Sequence, residues 1–302
     1  MKLSLYIPCY NAAEYLEKSI GSLLGQTRPP DEILIIDDGS TDKSVEIASS
    51  FPVKLIRHER NKGLAAARNT AFKNAAHELV GAIDADVYPD KDWLEQLLLP
   101  FSDLRVVGTG GRLIEAFRET PADAWRALQL SQDLGEERII IGGHSHKCLG
   151  GFGTILKKSV VQEIGGYNEN YRTNFEDVDL CRRLVQAGHK LVFEPRAVAY
   201  HQRRDTIRSV IRTAWNWDFY FHYFNGGYNR IWLKIFFNFR SARALIWKHV
   251  RSGHFALLPI DLRLPFRHSQ MDLHYHFSPA RLAPVNAGPV RASVYIPWPF
   301  RS

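Results

Sequence analysis

Two aspartates with one alanine between them, Asp84 and Asp86, close the apolar run ELVGAI. Side chains two apart at an extended strand end lie on the same side, so both carboxylates can converge on one divalent cation. Like charges this close favour protonating one partner unless a cation or hydrogen-bond donors intervene. A hard cation carrying a diphosphate would neutralise the pair and the ligand together; a solvated turn is the plainer alternative. A second acidic cluster, Glu176, Asp177 and Asp179 in TNFEDVDLCRRL, precedes Leu180 and Leu184 at helical spacing. Acids at a helix start are favoured by its dipole. One of them could equally act as general base toward an attacking hydroxyl.

Smaller signals surround these. Asp37-Asp38-Gly39-Ser40 is a turn whose carboxylates can also hydrogen-bond a ribose or the imide N–H of a pyrimidine. Tyr10 can stack on a base or simply pack. Gly63 and Arg68 open a helix whose N-terminus would favour an anion, with alanine-rich packing against a sheet as the equal alternative. Gly150, Gly151 and Gly153 would let a ligand approach the backbone. His201 ends the apolar run LVFEPRAVAYH and is a packing residue or a metal ligand. His144 and His146 alternate as zinc ligands can, but no cysteine pair joins them.

Those residues need positioning, and the front two-thirds of the chain provides it. KLSLYIP, EILIIDD, VKLIRH, ELVGAI and RVVGTGG are apolar on both faces, so they predict buried strands. NAAEYLEKSIGSLLGQT, DKSVEIASS, GLAAARNTAFKNA and KDWLEQLLLPF alternate with them as helices, the first with Asn11 and Glu14 as a capping box. The pattern predicts an open, mostly parallel α/β sheet, whose ligands gather at the carboxyl ends of the strands. Pro8-Cys9-Tyr10, Asp37-Asp38 and Asp84-Asp86 all fall there.

The 302 residues carry a net charge of +7, distributed unevenly. Residues 1–100 hold 11 basic and 15 acidic side chains, whereas 201–302 hold 15 and 4. A basic back suggests an anionic partner. Three cysteines without metal spacing argue against a disulfide framework, and no apolar run reaches the length of a membrane span. The chain therefore reads as cytoplasmic, peripheral on the inner face of the plasma membrane at most.

In order and spacing, YIPCYNAAEYLEKSIGSLLGQTRPPDEILIIDDGSTD, NKGLAAARNTAF, GAIDADVYPD and GGYNENYRTNFEDVDLCRRLVQAGHKLVFEPRAVAYH resemble the family 2 glycosyltransferases. The resemblance implies an A-type glycosyltransferase (GT-A) fold and inverting transfer from a nucleoside-diphosphate sugar, UDP foremost, with Mn²⁺ or Mg²⁺. It makes Pro8, Tyr10 and Asp38 the nucleoside pocket, with Arg68 near the base or phosphates. Asp84 would meet the ribose or the metal, and Asp86 and His201 the metal. Asp177 would be the base, with Glu176 in reserve. On this reading 1–115 is the nucleotide-sugar half and 116–203 the acceptor half of one domain, followed by a helical extension at 204–302. No Gln-x-x-Arg-Trp motif is present, so one sugar per encounter is expected, onto a glycan or lipid-linked saccharide of a cell-surface polysaccharide. A nucleotidyltransferase making nucleotide sugars is the alternative, disfavoured because PCYNAAEYLEKS has no glycine. A non-catalytic nucleotide-sugar-binding protein is the other.

The last hundred residues hold 20 of the 36 aromatic side chains. Helices are expected from about Asp205 and across NRIWLKIFFNFRSARALIWKHVR. On a wheel, Arg230, Lys234, Arg240, Lys248 and Arg251 share one arc; Ile231, Trp232, Ile235, Phe236, Phe239, Ile246, Trp247 and Val250 mostly fill the other. Such a helix suits a membrane surface, met through 204–251, or packing on the domain or a second subunit. No nucleic-acid motif appears. The proline-rich end from Leu257 reads as an extended arm or a flexible tail.

Overall fold

The computed structural model describes residues 1–143, 147–171, 173–224 and 230–277. His144, His146, Gly226-Gly227 and the segment after 277 lie outside the described residues. The chain divides into two compact units, residues 1–116 with 132–203, and residues 117–131 with 204–302. Residues 117–131, which the sequence alone groups with 116–203, thus belong to the second unit.

The first unit is built on strands β1 (Leu3–Cys9), β2 (Glu32–Asp37), β3 (Lys54–Arg57), β4 (Leu79–Ile83), β5 (Val87–Pro89), β6 (Val106–Glu115), β7 (Ile139–Ile141), β8 (Gly153–Lys157) and β9 (Lys190–His201). They form one sheet in the order β3-β2-β1-β4-β8-β6-β9-β5, with β7 also paired to β9. The first four strands run parallel. Past β4 the sheet turns mixed: β8 is antiparallel to both β4 and β6, and β6 is parallel to β9. That change brings Gly153, at the start of β8, opposite Ile83, at the end of β4.

Helices α1 (Ala13–Leu24), α2 (Ser44–Ser49), α3 (Leu64–Asn74), α4 (Trp93–Leu98), α6 (Lys158–Glu163) and α7 (Glu176–Gln186) cover the sheet. Leu5, Ile7, Ile33 and Ile35 pack with Leu16, Ile20, Trp93 and Leu97 on one face. Tyr6, Leu34 and Ile36 pack with Ala67, Ala71, Phe72, Leu180 and Leu184 on the other. Each such leucine or isoleucine contributes about 1.5–3 kcal/mol by leaving water. The alanines of α3 let that helix lie close to the strands, so its Arg68 reaches the sheet's interior.

The capping box expected at α1 does not form. Asn11 has φ +50°, and its side-chain oxygen accepts from the Thr41 amide at 2.8 Å. The helix's first donors instead find Ser44 Oγ (2.9 Å) and Asp42 Oδ2 (3.0 Å). Acceptors some thirty residues away replaced the local one.

The second unit contains α5 (Pro121–Gln129), α8 (Ile207–Phe224), α9 (Ile231–Arg251) and α10 (Leu258–Phe277). Thr120 caps α5 by accepting from the Asp123 amide at 3.1 Å, with Pro121 at the first helical position. Helix α10 corrects the expectation of an arm or tail. Pro259 falls in the first turn, where no backbone donor is needed, and Pro265 is carried inside by packing. Ile260, Leu264 and Tyr275 hold that face of the helix in the unit's interior. No described helix is long and apolar enough to cross a membrane.

Candidate active site

Tyr6 from the middle of β1, Asp84 just after β4 and the N-terminus of α7 meet around one buried cation. Arg68 is 1% exposed. Its guanidinium donates to Glu176 Oε1 (3.2 Å), Asp84 Oδ1 (3.2 Å), the Gly151 carbonyl (2.9 Å) and the Tyr6 hydroxyl (3.3 Å). Burial alone would lower its pKa, but Tyr6, Asp84 and Glu176 hold it well above the ordinary value. Burying a charge is tolerable because these partners compensate it.

Gly151 makes the approach possible. A Cβ there would lie 2.6 Å from a guanidinium nitrogen of Arg68 and 3.3 Å from Asp177 Cβ. Its amide donates to Asp177 Oδ2 at 2.7 Å, while Asp177 Oδ1 accepts from the Val178 amide at 2.8 Å. Gly150 and Gly153 face Phe152 and Trp93. The glycines expected to admit a ligand thus admit the chain's own side chains.

The carboxylates differ in environment. Glu176 is buried, and burial together with the neighbouring Asp177 pushes its pKa up to about 8 against the pull of Arg68. Its Oε2 has no hydrogen-bond partner among the described residues. Asp84 is also raised, first by burial and then by Asp86 and Asp177, with Arg68 opposing, although a third of its side chain meets solvent. Asp177 is half-buried and reaches solvent.

Asp86 is held separately. Its Oδ2 lies 3.0 Å from His201 Nε2, and His201 Nδ1 lies 2.8 Å from Glu115 Oε2. The strand register explains the triad: His201 is opposite Val87 on β5 and Glu115 on β6. A carboxylate on one imidazole nitrogen leaves the other oriented toward Asp86, the arrangement common behind metal-bound histidines.

The residues expected at the nucleoside end of the site behave less simply. Pro8 is buried in β1, and Tyr10 follows with half its surface exposed. Asp38 is 4% exposed. It accepts from the amides of Lys62 and Gly63, both at 2.8 Å, and its Oδ1 lies 2.7 Å from His58 Nδ1. Gly63, at φ +102°, supplies the backbone turn this needs. The anion expected at the N-terminus of α3 is therefore the chain's own Asp38. Arg68, expected near the base or phosphates, donates to Glu176, Asp84, the Gly151 carbonyl and Tyr6.

Sequence reasoning missed Tyr6, Glu115 and the bracing role of Gly151. Tyr6 reads as one apolar strand residue among several, and Glu115 is assigned only by the pairing of two distant strands. GGFG did carry a signal for close approach, although not for what approaches.

Residues 4–165 match the model described as glycosyl transferase family 2, more than half of the chain. The chain belongs to glycosyl transferase family 2. It is 31% identical over 214 residues to the pre-mycofactocin glycosyltransferase of Mycobacterium tuberculosis, across 69% of this chain and 44% of that relative. This family 2 chain thus spans less than half the length of that curated relative. Among solved structures, it resembles S. aureus TarS 1–349 in complex with UDP-GlcNAc, with a TM-score of 0.56 at 19% identity, over 70% of this chain and 66% of that one. It also resembles the mannosyltransferase PcManGT from Pyrobaculum calidifontis in complex with GDP-Man and Mn²⁺. There the TM-score is 0.55 at 18% identity, covering 94% and 76%. The fold is the A-type glycosyltransferase fold, with a helical C-terminal region.

Proposed function

We propose that this family 2 chain transfers a sugar from a nucleoside-diphosphate donor to a hydroxyl acceptor with inversion, one sugar per encounter. One observation carries the reading: two carboxylate groups gather where the carboxyl end of β4 meets the start of α7, the end of such a sheet at which ligands bind. Asp84 and Asp86 with His201 form one, and Glu176 and Asp177 form the other. Solved structures of similar fold hold UDP-GlcNAc or GDP-Man, which supports a nucleotide-sugar donor.

Asp177 acts as the base. Both its oxygens accept one backbone amide and retain free lone pairs, and its position reaches solvent. It takes the acceptor's proton as the acceptor oxygen bonds to the anomeric carbon, and the bond to the diphosphate breaks with its electron pair leaving on the phosphate oxygen. Glu176, buried and with Oε1 bonded to Arg68, serves to position that cation rather than to accept the proton.

The donor set fits a divalent cation, Mn²⁺ or Mg²⁺, at Asp86, Asp84 and His201. Hard carboxylate oxygens stand beside an imidazole whose other nitrogen is held by Glu115. Among the described residues no three His, Cys, Asp or Glu side chains close into a metal cage. Cations shared with substrate phosphates need no more than one or two protein carboxylates. When bound, the cation offsets negative charge on the departing diphosphate.

The basic, aromatic C-terminal third supports a lipid-linked saccharide on a cytoplasmic leaflet as acceptor, with the membrane surface met through 204–251. The test of the reaction is a panel of UDP-, GDP- and dTDP-sugars with Mn²⁺ or Mg²⁺, followed by diphosphate release. Release from one donor class, abolished by chelation, is expected. Pyrophosphate release from nucleoside triphosphate plus sugar phosphate would overturn the assignment.

A further inference from the structure

Helix α9 turns a mixed, partly polar face inward. Lys234 lies on its basic arc and Ile231 on its aromatic arc, and both are buried. Lys234, Asn238, Ala242 and His249 line the inner face, while Trp232 (74% exposed), Phe236 (59%) and Trp247 (57%) face out. Polar partners make the interior work: Asp261 accepts from Trp125 at 2.8 Å and pairs with His249 at 2.6 Å. Asp272 accepts from Trp215 and Asn238, each at 2.8 Å. Lys234 is paired with Asp218.

All four acids after residue 203 are spent in this way, the fourth being Asp205, bound to Arg126 at 3.2 Å. The cations are not. Arg208, Arg212, Arg263 and Arg267 line an open groove of about 620 Å³ between α8 and α10. None of the four has a carboxylate partner among the described residues; Arg263 and Arg267 bond only to the Pro259 carbonyl and Gln270. Phe266 (66% exposed) and Leu262 (57%) stand alongside. Exposed aromatics on α9 and α10, beside cations with no carboxylate partner among the described residues, suit the headgroup boundary of an anionic bilayer. A second copy would set like charges face to face.

We propose that the outer face of α8, α9 and α10 docks on an anionic lipid surface, with the four-arginine groove receiving lipid phosphates and the aromatic side chains entering the interface. The proposal rests on the membrane contact proposed above and names its surface and ligand; its test uses no donor, so it can fail while the sugar-transfer reading stands. The full chain is sedimented with vesicles of phosphatidylcholine alone or with about a third phosphatidylglycerol. Binding to the anionic vesicles only, weakened by salt, is expected; changing all four arginines to glutamine should weaken it by roughly 600-fold, at roughly fivefold per charge. Circular dichroism checks that variant for folding independently, and a second measurement on the unaltered chain completes the test. Brominated lipids should quench its tryptophan fluorescence, and W232F with W247F should remove most of that quenching. Equal binding to neutral vesicles, no quenching, release by millimolar inorganic phosphate, tighter binding to a short DNA duplex, or a dimer that hides Trp232 would each overturn the proposal.

Discussion

Buried charge appears in both units of this molecule and does different things in each. In the helical unit, Asp261 and Asp272 are 0% exposed, and each has two partners bonding to its two oxygens. In the sheet unit, Glu176 is as deeply placed but has one oxygen unpartnered among the described residues, a second carboxylate beside it and a raised pKa. Paired buried charge specifies a structure, whereas crowded and incompletely paired charge is held at a site by the rest of the fold. Arg68 is the tie that makes the crowding tolerable.

Cutting that tie should do the most damage. Arg68→Met should leave Asp84 and Glu176 uncompensated and cost about 3–5 kcal/mol, read as a shift in the urea midpoint. A shift near zero would mean that the cation is not what holds the acids together. Asp86→Ala and Asp177→Asn should each cut turnover at least ~100-fold with unchanged circular dichroism, since one removes a charge stabiliser and the other the base. Asp261→Asn, in the paired region, should cost about 1–3 kcal/mol of stability while leaving donor turnover within about twofold.

The smallest effect is a slope. Glu176 has a folded pKa near 8 against an ordinary 4.5, so the folded state binds its proton more tightly than the unfolded chain. Its contribution to stability is full below 4.5 and is lost as pH rises toward about 8, and Asp84 acts in the same direction. Glu176→Gln should flatten that fall in a series of thermal melts between these pH values. An unchanged slope would place the titration elsewhere.

Much of this was legible in the chain itself. The strands β1, β2, β4 and β6 announce themselves as runs apolar on both faces, and the acids at their ends mark where ligands gather. What could not be read is pairing at a distance. The mixed half of the sheet depends on β8 entering between β4 and β6, which no local period encodes. Glu115 meets His201 only through the β6–β9 register, and Asp38 looked available because its partners lie twenty to twenty-five residues onward. Helix α9 reads as a helix with a basic and an aromatic arc, but the wheel does not say which residues face the unit's interior. In this unit the buried Asp272 and Asp261 draw Asn238 and His249 inward, while Arg230, Arg240, Lys248 and Arg251 stay exposed beside the aromatics.

The central claim is a division of labour between the two acid groups, and calorimetric titration of the preferred donor with Mn²⁺ into the two site variants tests it most directly. Asp177→Asn should bind that donor within about threefold of the unaltered chain yet fail to transfer its sugar, whereas Asp86→Ala should lose cation-dependent binding as well. Equal loss of donor affinity in both variants, or retained transfer by Asp177→Asn, would contradict it.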